Sequence, residues 1–479
     1  MRLYVVFRYT GVILIFNAIF LLISAFISFF NNDAGFFPLI YSALIATLFG
    51  AFPLIFVPPT EDISNNEGMV IVVSSWLVSC LVGMLPYVLW GGEFSITNAW
   101  FESVSGYTTT GASILNNVEA LPMGLLFWRA STHWIGGIGI IIFVLSVLPS
   151  MGIAGMILYR SEMSSTALRQ FKMRTKEAVR IIAAVYVGIT IVQTIALLIT
   201  GLNLFDAVTH TFATVATGGF STKNMSVASF NNPAAEIVIM FFMIISGMNF
   251  GLLFAVFIGN FSALRTSSVV KYYLSINFIA IILVTINTYF TNYHNFWDAL
   301  RYSSFQILSV GTSTGFANAD SSIWPGFAQI ILILFTLQCA CAGSTSGGIK
   351  IDRIVMMFKS FLRRVKQIMY PNAVFAVSMD KSKTNDAMID SAVIYILFYM
   401  IIVTVGSLIL AAMGVDSLSA FSGTAAAMGN VGPGLSTVGS LSNYSQIPEL
   451  GKWVLATIML LGRLEIYGLI IFFMPKTWK

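Results

Sequence analysis

The chain has 479 residues, 57% hydrophobic and only 9% charged, with a mean hydropathy of +0.85. A soluble domain carries roughly 25% charged residues, so soluble classes are excluded and an all-α polytopic membrane protein is expected. The net charge of +5 calls for no nucleic acid, and the three cysteines, Cys80, Cys339 and Cys341, lie in apolar runs and imply no disulfide framework.

Apolar runs long enough to cross ~30 Å of hydrocarbon number about 10. They lie near 8–30, 38–57, 69–90, 123–149, 178–200, 234–260, 271–290, 325–342 continuing past a break to about 365, 389–412 and 452–474. The first has no small-residue cleavage site after it and reads as a retained membrane helix rather than a signal peptide. The N-terminus, 150–180, 261–271, 350–388 and the C-terminal tail hold 20 of the 25 Lys and Arg residues, among them Arg160, Arg169, Lys172, Arg174, Lys176 and Arg180. Those segments are cytoplasmic by the positive-inside rule. Arg363, Arg364 and Lys366 in the fourth of them suit a cytosolic partner or anionic membrane lipid.

Between the third and fourth runs stands Phe101-Glu102-Ser103-Val104-Ser105-Gly106-Tyr107-Thr108-Thr109-Thr110-Gly111, and weaker copies follow after the fifth, seventh and ninth runs. With Gly111, Gly219, Gly315 and Gly432 in one column, two places earlier stand Thr109, Thr217, Ser313 and Asn430. Thr110, Gly218, Thr314 and Val431 lie between, and six places before each glycine is a small residue: Ser105, Ala213, Ser309 or Ala426. Each copy reads as a short helix, with Asn98, Asp206, Asp298 or Asp416 as cap, followed by an extended Thr/Gly strip. Glycine lets such a strip turn its carbonyls toward one axis, and four strips make a ring able to replace the water shell of a permeating cation. The expected architecture is four helix–pore loop–helix repeats around one pore, preceded by two extra N-terminal helices: 1–60, then 61–165, 166–265, 266–385 and 386–479.

The eighth run is interrupted by Gly343-Ser344-Thr345-Ser346-Gly347-Gly348, which cannot hold a regular apolar helix. A helix is expected from about Trp324 to Ala342, and then a break that resumes as helix, for which a packed kink is the plain reading. The break is not a phosphate loop, since Lys350 falls one place late and Ile351 replaces the Ser/Thr. Arg463 lies in an apolar run and needs acceptors there; the break's carbonyls and a distant carboxylate are the two candidates. His133, His210 and His294 have no ligand spacing and read as packing residues. Arg129 and Trp134 read as an interfacial anchor and close helix packing.

The four strips, the run Phe127-Trp128-Arg129-Ala130-Ser131-Thr132-His133-Trp134-Ile135-Gly136-Gly137, the Gly343–Lys350 break and Gly462-Arg463-Leu464-Glu465 together resemble the Trk/Ktr/HKT superfamily of potassium transporters. The similarity covers essentially the whole chain. The resemblance implies a potassium-conducting subunit of the bacterial inner membrane with one pore per chain, not an enzyme, and with no organic cofactor. It implies a homodimer gated by a cytosolic nucleotide-binding ring protein of the TrkA type. Under it, the strips are the potassium selectivity filter, and Gly343 to Gly348 with Arg463 form a gate that obstructs the pore. Glycine in all four columns goes with potassium rather than sodium in the superfamily. The fourth strip, Asn430-Val431-Gly432-Pro433-Gly434, lacks a hydroxyl, so modest selectivity is expected. From the residues alone, a secondary carrier for another cation or a small polar solute remains the alternative.

Overall fold

The structure, a computed structural model, describes residues 1–58, 64–146, 175–380 and 382–478. The expectations for Arg160, Arg169, Lys172 and Arg174, and the boundaries at 60/61 and 165/166, lie outside the described residues.

In lipid, a backbone without water satisfies itself by helix formation, and most of the described residues do so. It opens with α1 (Leu3–Phe30) and α2 (Phe36–Phe56), which pack antiparallel. A Cβ on Gly11 would stand 2.7 Å from the Gly50 carbonyl oxygen, and one on Gly50 2.9 Å from that of Gly11, so small residues bring the two backbones into contact. Asn17 ties the pair to the helices that follow, donating to Ser79 Oγ at 3.0 Å and accepting from the Tyr107 hydroxyl at 2.9 Å.

Next come α3 (Asn65–Gly83), α4 (Leu85–Trp90), the short α5 (Ile96–Tyr107) and α6 (Met123–Ser146). The second quarter holds α7 (Thr175–Ile199), the short α8 (Leu204–Ala216) and α9 (Pro233–Ser246), bent by 106° into α10 (Phe250–Phe257). One turn, α11 (Phe261–Thr266), leads to α12 (Ser268–Thr288), the short α13 (Phe296–Gly311), α14 (Gly326–Leu337) and α15 (Ile351–Met369). A two-residue antiparallel ribbon, β1 (Ser378–Met379) with β2 (Ser382–Lys383), pairs Ser378 with Lys383 and Met379 with Ser382. The last quarter is α16 (Asp386–Ala412), the short α17 (Ser417–Gly429) and α18 (Glu449–Arg463), bent by 109° into α19 (Tyr467–Phe473).

The all-α polytopic expectation holds. Among the described residues six helices are long and apolar enough to span a membrane, up to eight counting the two bent pairs as single spans. Three expected runs are not continuous helices. The run at 234–260 bends because Asn249 turns out of helix and caps α10, accepting from the Gly251 and Leu252 N–H groups. The run at 452–474 bends at Glu465 and Ile466, both at positive φ (56° and 54°), where Glu465 reaches Arg353 at 2.6 Å. The helix expected to reach Ala342 ends at Leu337 because the next residues pair with the far side of the break: Cys339 N donates to Ile349 O and Ile351 N to Ala340 O, at 3.0 and 3.1 Å.

The core closes in a ring. One buried cluster joins α1 through α6 to α16 through α19, a second joins α7, α8 and α9 to α13, and a third joins α12, α13 and α14 to Val431 beyond α17.

Candidate functional site

The four short helices have 12, 13, 16 and 13 residues, about 18 to 24 Å at 1.5 Å per residue, too short to cross a bilayer. Their caps are Ser95, Asn203, Asn295 and Asp416, each accepting backbone N–H groups of the first turn. Asn98, Asp206 and Asp298 are therefore not caps, but stand three residues inside. The cap must precede the first helical residue, and an asparagine there serves twice. It accepts from the helix, while its amide donates to the inner carboxylate, at 2.8 Å for Asn203 to Asp206 and 2.9 Å for Asn295 to Asp298. The carboxylates then sit in the first turn, where the helix dipole favours them.

All four helices end in one backbone turn. The N–H groups of Thr110, Gly218, Thr314 and Val431 donate to the carbonyls of Ser105, Ala213, Ser309 and Ala426 at 2.8, 2.8, 2.8 and 2.9 Å. Thr109, Thr217, Ser313 and Asn430 are left-handed, with φ of 52°, 56°, 56° and 51°, and Gly111, Gly219, Gly315 and Gly432 have φ of 79°, 85°, 74° and 96°. A non-glycine residue at positive φ is uncommon. Four in one column mean that a single conformation is built four times.

The strips face one another. A Cβ added to Gly111 would collide with the carbonyl oxygen of Gly218, one on Gly219 with that of Thr314, one on Gly315 with that of Val431, and one on Gly432 with that of Thr110. The order is cyclic, and the fourth strip closes on the first. Each contact joins one glycine to the carbonyl preceding the next, so the ring leaves no space for a side chain at the glycine column. The glycines border a cavity of about 200 Å³ that Arg129, Phe220, Lys223 and Tyr444 also line.

On the opposite side of the strips lies the break. Thr345 Oγ1 donates to Val215 O at 3.0 Å, Gly347 N to Ser313 Oγ at 3.0 Å, and Thr217 Oγ1 to Thr345 Oγ1 at 3.4 Å. Gly347 lies against strip four, where an added Cβ would stand 2.7 Å from Asn430 Oδ1. Arg463, 2% exposed, donates from Nη1 to Thr345 O at 2.7 Å and from Nη2 to Gly136 O at 3.0 Å. Of its two candidate partners the loop carbonyl is the one in contact, and Glu465 pairs with Arg353 instead. Lys350 Nζ donates to Ser346 O. Two cations thus hold adjacent carbonyls of the loop. Two of the four residues in the left-handed column, Thr217 and Ser313, are engaged by the loop, whereas Thr109 Oγ1 and Asn430 Oδ1 are buried without a hydrogen-bond partner among the described residues.

Arg129 is not an interfacial anchor. It is 2% exposed and pairs with fully buried Glu102 at 2.7 Å. Trp134 packs as expected, its Nε1 donating to Thr190 Oγ1 at 3.1 Å. His133 bridges the end of α5 and the end of strip two: Nδ1 lies 2.7 Å from Gly106 O, and Nε2 accepts the Phe220 N–H at 3.0 Å, which fixes a neutral ring with its proton on Nδ1. His210 lies between Asp206 O and Ser221 Oγ, each at 2.8 Å. Glu102, Asn249 and Tyr444 went unread in the sequence, and Lys350 was read there only as excluding a phosphate loop. A carboxylate inside an apolar stretch was the available signal for Glu102.

The family profile described as TrkH, cation transport protein, matches residues 39–277 and 267–479. The chain is 35% identical over 423 residues to the Trk system potassium uptake protein TrkH of Escherichia coli (strain K12), covering 87% of each. It is 32% identical over 489 residues to the protein of that name from Vibrio parahaemolyticus, covering 99% of each. The crystal structure of the potassium transporter TrkH from Vibrio parahaemolyticus is similar with a TM-score of 0.91 at 29% identity, covering 100% of both chains.

Proposed function

Because the chain belongs to the TrkH family of cation transport proteins and is a multi-pass potassium-uptake transporter of the inner membrane, we propose that the ring of four strips is its potassium selectivity filter. The single observation that carries this reading is the cyclic contact of each filter glycine with the carbonyl preceding the next. Thr109, Thr110 and Gly111, Thr217, Gly218 and Gly219, Ser313, Thr314 and Gly315, and Asn430, Val431 and Gly432 supply the oxygens that replace the ion's water. The C-termini of the four short helices point their partial negative charge toward the ion. The loop from Gly343 through Ser344, Thr345, Ser346 and Gly347 to Gly348 closes the path beneath the filter. Arg463 holds the loop and sets a positive charge beside the path. Opening requires that the loop leave Val215 and Ser313, and a cytosolic TrkA-like nucleotide-binding protein acting on a homodimer is the proposed source of that work. α15 begins directly after the loop, at Ile351, and is the element through which such a protein would pull.

The test is Gly111→Ser in proteoliposomes. The serine has no room against Gly218 O and must distort one quarter of the ring, so the potassium-to-sodium flux ratio is expected to fall about tenfold, the factor that corresponds to ~1.4 kcal/mol. An unchanged ratio overturns the filter reading.

A further inference from the structure

The ring's own backbone contacts do not explain why its outer rim holds its shape, because glycines resist deformation poorly. The rim is held instead by a buried chain of side chains that links strips four, one and two. The Tyr444 hydroxyl donates to the carbonyl of filter residue Gly432 at 2.7 Å, and its N–H donates to Ser113 O, just past strip one, at 2.8 Å. Ser113 Oγ donates to Glu102 at 3.0 Å, and Ile114 N to the same carboxylate at 3.0 Å. Arg129 Nε completes the carboxylate's set at 2.8 Å, while Nη1 donates to Ser221 O, two residues past Gly219 in strip two, at 3.1 Å. The guanidinium also covers the Phe220 ring, 4.0 Å from its centroid, and His133 stacks on that ring at 4.2 Å. Glu102 is 0% and Tyr444 2% exposed.

Two features argue that this collar serves the ion and not only the fold. Replacing a buried ion pair by packed apolar groups is often neutral for stability, so retaining one within the filter wall points to a demand for fixed geometry. The Tyr444 hydrogen bond falls on a filter carbonyl itself and draws electron density from it, making Gly432 O a weaker cation ligand than its three counterparts. A weaker carbonyl field disfavours the smaller, more strongly hydrated ion.

We propose that Glu102, Arg129 and Tyr444 are positioning residues that set potassium-over-sodium discrimination by fixing the filter rim and lowering the field of the Gly432 carbonyl. The proposal rests on the filter reading. The experiment compares sodium and potassium influx at equal reconstituted protein for the unmodified chain, Tyr444→Phe, Arg129→Lys and Gly111→Ser, with thermal stability measured alongside. Tyr444→Phe keeps the ring packed on Phe101, 5.6 Å between centroids, and removes only the hydroxyl. It is expected to lower the potassium-to-sodium ratio about fivefold, the factor of one ordinary hydrogen bond. Arg129→Lys keeps the charge but cannot reach Glu102 and Ser221 together, and is expected to move the ratio the same way. Should Gly111→Ser shift the ratio while Tyr444→Phe does not, the collar role is overturned and the filter stands. A ratio that no variant moves overturns both. If Arg129→Lys fails to fold, Tyr444→Phe alone decides.

Discussion

Thr345 is where the loop, the strips and Arg463 meet. Its hydroxyl donates to Val215 O, its carbonyl accepts from Arg463, and Thr217 Oγ1 approaches it from strip two. Thr345→Val keeps the shape and removes the donor, weakening the loop's seat by ~1 kcal/mol, so basal rubidium influx is expected to rise about fivefold. Unchanged influx in a folded variant would mean that the seat does not limit opening. At this scale the column of Thr109, Thr217, Ser313 and Asn430 was legible from its spacing, but its left-handed conformation was not, because an extended strip was expected there. Of the caps only Asp416 was legible; the other three were not, because Asn203 and Asp206 both cap well, and the choice between them depends on which one first leaves helical dihedrals. Nor could spacing reveal that Arg129 meets Glu102 across two helices. A partner 27 residues away leaves no periodic trace.

The break between α14 and α15 is an element in its own right, and it is held from outside. Asn249, at the bend between α9 and α10, donates to Ala342 O at 2.8 Å, and Phe250 N donates to Gly343 O at 3.0 Å. The two breaks therefore brace each other. Asn249→Ala removes both the cap on α10 and the tie to the loop; the expected loss is ~1–2 kcal/mol, read as a lower Tm in detergent together with a higher leak. Arg463→Ala is expected to raise flux further, because a buried charge-assisted bond is stronger than a neutral one. A lower Tm with no added leak in either variant would assign these contacts to stability alone. The glycines and hydroxyls of Gly343–Gly348 announced one interruption, and it is present, though five non-helical residues, Gln338 to Ala342, precede it. The bends at Gly247–Asn249 and Leu464–Ile466 stayed hidden because a lone polar residue, Asn249 or Glu465, barely lowers the hydropathy of a long apolar run, and hydropathy registers burial rather than direction.

Across the whole molecule, the short helices converge because the buried clusters close on themselves. α5 and α6 share a core with α17 and α18, so the first quarter packs against the last. The N-terminal pair joins through Asn17 to Tyr107, the final residue of α5 and two residues before the left-handed Thr109. The lipid-facing surface needs no specific code, and large exposed side chains such as Phe26, Phe49 and Phe278 cover it. Membrane class, spans and the four strips were readable from composition and spacing, which are local. The cyclic order of the strips was not, since it depends on contacts between residues as distant as Gly432 and Thr110.

The most direct test of the filter and its gate is the influx of potassium, rubidium, sodium and lithium into proteoliposomes holding the chain with Gly343–Gly348 deleted. The expected result is influx well above that of the full chain, with potassium and rubidium ahead of sodium and lithium. No rise in influx, or equal passage of all four ions, would contradict it: the first outcome would remove the loop as the obstruction, and the second the ring as the filter.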